Sequence, residues 1–176
     1  KAQGCALMKE IWLITGIPGS GKSTVSRLLA SRFNRGVYIS GDQLHDMIVS
    51  GQVAPDGEPA DEAERQIAMT QRHFCMLARS FADEGFLPVL DWVVRHRADL
   101  KAFLRGLSGS ELHLVVLAPP LPIVAKRKAH AFDRWAYLEP RFTKELGGTG
   151  LWVNSSDLTA EQTVDYLLAN KSAARL

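Results

Sequence analysis

The stretch Gly16-Ile17-Pro18-Gly19-Ser20-Gly21-Lys22-Ser23-Thr24 is the part of this chain best suited to hold a phosphate chain. Its glycines let the backbone curl with N–H groups turned inward, where side chains would crowd an anion. An apolar run, Ile11-Trp12-Leu13-Ile14, precedes it, and Val25, Leu28, Leu29 and Phe33 follow at helical spacing. A strand before and a helix after turn the string G-x-x-x-x-G-K-[ST] into a nucleotide-binding P-loop. The helix directs the positive end of its dipole at the same anion. In such a loop Gly16, Gly19, Ser20, Gly21, Lys22, Ser23 and Thr24 bind the nucleotide. Lys22 reaches the β- and γ-phosphate oxygens, and the Ser23 hydroxyl ligates Mg²⁺.

Acids and arginines at predicted strand ends and in a late helix supply the remaining chemistry. Asp42 closes the second predicted strand, where its carboxylate can take a proton from a substrate hydroxyl as the γ-phosphoryl arrives. The competing role, capping a helix that begins at Gln43, is one Asp fills often. Asp91 ends the apolar run Phe86-Leu87-Pro88-Val89-Leu90, the pattern of an acid that supports Mg²⁺ or substrate; a turn cap is the alternative. Arg95, just past that strand, can grip substrate or phosphate, whereas Arg97 reads as part of a solvated helix face. Further on, Arg127 and Arg134 can close over the transferring phosphoryl group from a lid spanning about 126–145. Lys126 and Lys128 read as a charged helix face. His45, with Trp135 and Tyr137, can line a substrate pocket. The acids Asp56, Glu58, Asp61, Glu62 and Glu64 cluster at a helix start, where carboxylates are electrostatically favoured.

These residues need a scaffold, and strands alternating with helices provide one. Val37-Tyr38-Ile39 predicts a second strand after the Asn34-Arg35-Gly36 stop, then a short helix over Gln43 to Ser50 and a loop from Gly51 to Pro59. A long helix is predicted from about Asp61 to Glu84, with Ile67, Phe74, Ala78 and Phe81 on one stripe. Leu87 to Val93 is the third strand, Ala98 to Leu107 a helix, and Leu112 to Leu117 a fourth strand. Pro119-Pro120 breaks the chain before a basic helix. Leu151-Trp152-Val153 is the fifth strand, and Thr159-Ala160-Glu161-Gln162 a capping box opening the last helix. The expectation is an α/β fold: a three-layer α/β/α sandwich on a five-stranded parallel sheet, with ligands at the carboxyl ends of the strands and a small helical lid.

Composition excludes several other classes. With 176 residues the chain makes one domain, taken as 8–176, with residues 1–7 read as an extension before Met8-Lys9-Glu10. A formal charge of +2, with no basic run along one face, gives no nucleic-acid signature. No apolar stretch reaches membrane-spanning length, so the cytoplasm is expected. Cys5 and Cys75 lack metal-ligand spacing, and Cys75 is expected to be a small core residue. No H-E-x-x-H and no nucleophile elbow appear. A guanine-reading Asn-Lys-x-Asp is missing after the fourth strand, where Ala118-Pro119-Pro120 stands.

In order and spacing the chain, from Ile11 to Leu168, resembles the small P-loop kinases, and within them the chloramphenicol phosphotransferase-like and zeta-toxin-like branch. The resemblance implies ATP and Mg²⁺ as cofactors, Asp42 as general base, and lid roles for Arg127 and Asp133-Arg134, whose spacing matches. Ile39-Ser40-Gly41-Asp42-Gln43-Leu44 is also similar to a segment of adenylate kinases, which carry Arg where this chain has His45; that opposes a monophosphate acceptor. The expected activity is transfer of the γ-phosphoryl of ATP to a hydroxyl of a small molecule. The expected substrate contacts are Asp42, His45, Asp91 and Arg95, with Ser23 and Asp91 at the metal. A kinase of nucleotides or polynucleotide ends, and a nucleotide-gated regulator, are the alternatives.

Overall fold

β1 (Lys9–Thr15) is buried on both faces, and the fold is built outward from it. Ile11, Trp12, Leu13 and Ile14 are all fully shielded from solvent. Such a strand has no polar face to give to water, so it must lie inside a sheet covered on both sides. The computed structural model describes residues 9–127 and 138–176. After β1 come α1 (Lys22–Ser31), β2 (Gly36–Ser40), α2 (Gly41–His45), α3 (Ala60–Asp83), β3 (Leu87–Asp91), α4 (Arg97–Gly106) and β4 (Ser110–Leu117). Then follow α5 (Leu121–Arg127), α6 (Leu138–Leu146), β5 (Leu151–Val153), α7 (Ala160–Ala169) and α8 (Lys171–Ala174).

The five strands are all parallel, in the order β2-β3-β1-β4-β5. Alternation along β1 sends Ile11 and Leu13 to one face, where Phe74 and Cys75 of α3 meet Phe103 and Leu107 at α4. Trp12 and Ile14 go to the other, against Val25 and Leu29 of α1 and Val164 and Leu167 of α7. This is the expected three-layer sandwich. Cys75 is a free, buried thiol, and loss of solvation pushes its pKa up to about 11. The expected capping box is present at α7, with Gln162 N donating to Thr159 Oγ1 (3.1 Å) and Thr159 N donating to Gln162 Oε1 (2.9 Å).

Three expectations need correction. The second helix begins at Gly41 rather than Gln43 and ends at His45, because Ser40 rather than Asp42 caps it: its hydroxyl accepts from Gln43 N at 3.4 Å. β3 stops at Asp91 instead of reaching Val93. Trp92 N still donates to Ile14 O (3.2 Å), but Val94 N turns to the buried Thr15 Oγ1 (2.9 Å), which draws the chain off the sheet. Phe81 is 36 % exposed and pairs edge-on with Phe86 rather than entering the core. The lid residues 128–137, Arg134 among them, the side chain of Arg127 and the N-terminal extension lie outside the described residues.

The connection from α2 to α3 has no regular structure, yet a buried side chain ties it down. Gln66, 2 % exposed, donates from Nε2 to Gly51 O (2.8 Å) and accepts at Oε1 from Val53 N (2.9 Å). An amide pairing with both a carbonyl and an N–H of one loop substitutes for a missing strand partner. Removing it leaves two backbone groups to find water. Gln66→Ala is therefore expected to cost about 1–3 kcal/mol of stability in chemical denaturation and to open residues 46–59 to limited proteolysis.

Candidate active site

The P-loop leaves β1 at Gly16, whose position admits no side chain: a Cβ there would lie 2.4 Å from Leu117 O and 2.7 Å from Ser20 Oγ. Gly21, the N-cap of α1, has a φ of 99°, the left-handed conformation that only glycine takes without strain. No side chain caps α1, so its first-turn N–H groups keep their capacity for an anion. Lys22 opens the helix, and its Nζ donates across the loop to Ile17 O at 3.2 Å. Ser20 is buried within the loop, with Gly16 pressed against the β4 carbonyl beneath it.

A cavity of about 530 Å³ opens at the carboxyl ends of the strands. Gly19, Gly21, Lys22, Ser23 and Thr24 line it from the P-loop, with Asp42, Asp91 and Arg95 opposite and Pro55, Ile67, Trp92 and Val93 filling the wall. The structure thus brings together Lys22, Ser23, Asp42, Asp91 and Arg95, residues drawn from four segments. His45 is not among the lining residues. It is buried, and its Nε2 meets Val53 O at 3.0 Å, so it serves the same loop that Gln66 holds.

Asp42 sits in the first turn of α2, released from capping by Ser40. Among the described residues its carboxylate makes no hydrogen bond. Its placement depends on Gly41: a Cβ at 41 would lie 2.0 Å from a ring carbon of Trp92. The indole therefore packs against the backbone that carries Asp42 and walls the cavity as it does so.

Asp91 is 7 % exposed at the end of β3. The Tyr38 hydroxyl donates to its Oδ2 at 3.0 Å, and the Arg27 guanidinium lies over the Tyr38 ring, 4.1 Å from its centroid. Burial raises the Tyr38 pKa, opposed by hydrogen bonds to Ser40 and Ser23 and reinforced by the charge of Asp91. Tyr38 was not singled out in the sequence. Its signal was the two-residue period of β2, which puts it on the face of Ser40. Among the described residues no group of three metal-ligating side chains occurs. That is no obstacle to Mg²⁺, which keeps several waters and takes one or two protein oxygens beside substrate phosphates. The Ser23 hydroxyl and the Asp91 carboxylate, which line the same cavity, fit that requirement.

Arg95 is gripped from two sides. Glu64 of α3 takes its Nη1 and Nη2 at 2.6 and 3.0 Å, and Asp99 of α4 takes Nε and Nη2 at 3.2 and 3.3 Å. Burial works against the guanidinium charge, but the two carboxylates outweigh it and raise the Arg95 pKa. The same hydrogen bonds hold the Glu64 carboxyl below its usual range. Glu64, read from sequence as one of several helix-start acids, is thus part of the cavity's charge arrangement. Arg97 is exposed at the start of α4, on a solvated face as expected, and donates from Nε to the carbonyl of Glu145 in the last turn of α6 at 3.3 Å.

A glycine loop between a buried strand and a helix, with an acid at the tip of each neighbouring strand on one side, defines a P-loop nucleotide-binding fold. A family profile described as an AAA domain (AAA_33) matches residues 11–131, and the chain belongs to that family. No protein of curated function matches the sequence. Among solved structures, the fold is similar to a Deinococcus radiodurans tunicamycin resistance protein (TM-score 0.70, 16 % identity, 95 % of this chain and 98 % of that one). It is also similar to a Mycobacterium tuberculosis APS kinase in complex with AMPPNP and APS (0.69, 17 %, 94 % and 98 %). A Sinorhizobium meliloti gluconokinase aligns likewise (0.64, 18 %, 94 % and 94 %). At these identities the likeness is one of fold. Among the described residues no helix is long and apolar enough to cross a membrane.

Tyr38→Phe keeps the ring under Arg27 and removes only the donor to Asp91. The Mg²⁺ concentration that half-saturates nucleotide binding is expected to rise on the order of tenfold, as for other residues that orient a metal's ligands. A Mg²⁺ titration of a fluorescent ADP analogue measures it. An unchanged midpoint would show that the bond merely joins β2 to β3.

Proposed function

We propose that this protein is an ATP-dependent phosphotransferase that moves the γ-phosphoryl group of ATP to a hydroxyl of a small molecule. The observation that carries the reading is that Asp42, free of any capping duty, shares one cavity with Lys22 and Ser23. A nucleotide-gated regulator needs the P-loop but has no use for an uncommitted carboxylate across from it. The kinases of similar fold support the same class of activity.

Each residue has a distinct task in this reading. The P-loop N–H groups and the α1 dipole hold the phosphates. Lys22 leaves the Ile17 carbonyl for the phosphate oxygens that gain charge during transfer. Ser23 and Asp91 would hold Mg²⁺, which would supply neutralisation of phosphate charge when bound. Asp42 accepts a hydrogen bond from the acceptor hydroxyl, aligns its oxygen with the γ-phosphorus and takes its proton as the new P–O bond forms. The bridging oxygen departs with ADP. Trp92, Val93, Ile67 and Pro55 exclude water that would otherwise compete for the phosphoryl group. Arg127 and Arg134 belong to this proposal as groups that a closing lid brings to the phosphates. No nucleic acid or membrane is required.

The test follows label from γ-labelled ATP with Mg²⁺ against a panel of sugars, nucleosides, aminoglycosides, amphenicols and an oligonucleotide. Transfer to one hydroxyl compound is expected, falling about 10²–10⁴-fold in Asp42→Asn, with ATP affinity changed less than about threefold because Asp42 touches no phosphate in the ground state. Lys22→Ala is expected to weaken both nucleotide binding and turnover. Label released only as free phosphate, equally in wild type and Asp42→Asn, would replace the kinase reading with a nucleotide switch.

A further inference from the structure

We infer that the acceptor end of the cavity selects hydroxyl compounds that carry no negative charge, and that Glu64 is the residue that sets this selectivity. The inference rests on the phosphotransfer reading above. Arg95 is the cation among the described residues lining that end, and on its own it would invite a carboxylate, sulfate or phosphate on the acceptor. Its planar fork, however, is already occupied. Of five N–H donors, one on Nε, one on Nη1 and both on Nη2 go to Glu64 and Asp99, at 2.6 to 3.3 Å. Asp42 adds a third carboxylate to the same space. With Lys22 and Asp91 given to the nucleotide and its metal in that reading, Arg95 faces three carboxylates, and an arriving anion meets net repulsion.

The rest of the wall agrees. Pro55, Ile67, Trp92 and Val93 offer apolar surface that cannot replace the water an anion would shed. They suit an uncharged or cationic alcohol with one apolar face. The two acids divide the work by burial. The Asp99 side chain, 8 % exposed, also accepts from Arg95 N at 3.0 Å and so fixes the backbone as well as the guanidinium. The Glu64 side chain is 59 % exposed and covers the outer edge of the fork, Nη1 and Nη2. Asp99 positions Arg95, and Glu64 decides whether its outer donors are open to a ligand.

The experiment uses the full chain with Mg²⁺ and AMPPNP in the nucleotide end, so that anions cannot report from the P-loop. Three probes share one ring and one alcohol and differ in charge: 4-(hydroxymethyl)benzamide, 4-(hydroxymethyl)benzoate and 4-(hydroxymethyl)benzylamine. Binding is read from the Trp92 indole N–H resonance, assigned by its loss in Trp92→Phe. The amide and the amine are expected to bind about tenfold or more tighter than the benzoate. In Glu64→Ala the benzoate is expected to gain until the three lie within about threefold, with Glu64→Gln, which keeps one acceptor oxygen but loses the charge, falling between. Glu64 is exposed enough for both variants to fold. Benzoate binding wild type as tightly as the amide, a ratio untouched by Glu64→Ala, or silence of Trp92 toward all three probes overturns the inference. Failure of AMPPNP itself to bind overturns the phosphotransfer reading, and the same samples distinguish the two.

Discussion

The register that sets Ile14 beside Asp91 in the parallel β1–β3 pair is the constraint on which the site depends. β1 ends in the phosphate loop, so whatever stands at the tip of β3 is delivered to the phosphates without any further device. Slipping that pairing by one residue would turn Asp91 into the opposite layer and put Leu90 or Trp92 in its place. The register is held because β1 is wholly apolar and clamped between β3 and β4, with each face committed to a different helical layer. The chemistry at the sheet edge is secured by hydrophobic burial well below it.

Above the sheet, close backbone approach does the positioning. Gly16 touches the Leu117 carbonyl and Gly41 lies under the Trp92 ring, so β4 braces the phosphate loop and the β3 exit braces Asp42. Trp92 is at once the support of the acid and a wall of the cavity it serves. Thr15 adds a polar tie by accepting Val94 N where the strand gives out. A polar cluster of Tyr38, Ser40, Ser23 and Asp91 then links β2, α1 and β3 at one point. Motion of any of these elements is thereby felt at the carboxylate that fits the metal.

The acceptor end obeys a different logic. Its shape comes from a loop without regular structure, held by Gln66 and His45, and from an arginine whose charge is balanced by acids on two helices. Of these charges, only the exposed Glu64 makes a pair that contributes little to net stability. What they alter is the field inside the cavity, and that field acts on whatever enters. The P-loop offers Lys22 and uncapped helix N–H groups to an anion, whereas Arg95 has its donors committed to carboxylates.

The phosphate loop was fully legible in the sequence because its parts are contiguous: a run of glycines, one lysine and one hydroxyl act on the same anion from adjacent positions. The three-layer arrangement was legible too, since a strand apolar on both faces has only one environment available. Whether Ser40 or Asp42 caps α2 was not legible, because both residues can satisfy the same N–H groups and only backbone geometry chooses between them. The Tyr38–Asp91 bond joins residues 53 positions apart and the Arg95–Glu64 pair residues 31 apart. No local periodicity carries such information; the sheet register and the packing of α3 beside β3 create it. The sequence by itself determined that a nucleotide's phosphates are held, through chemistry that neighbouring residues complete alone. Tertiary structure decided which side chains share the cavity with that loop and with what charge, because those depend on distant segments meeting at a common edge.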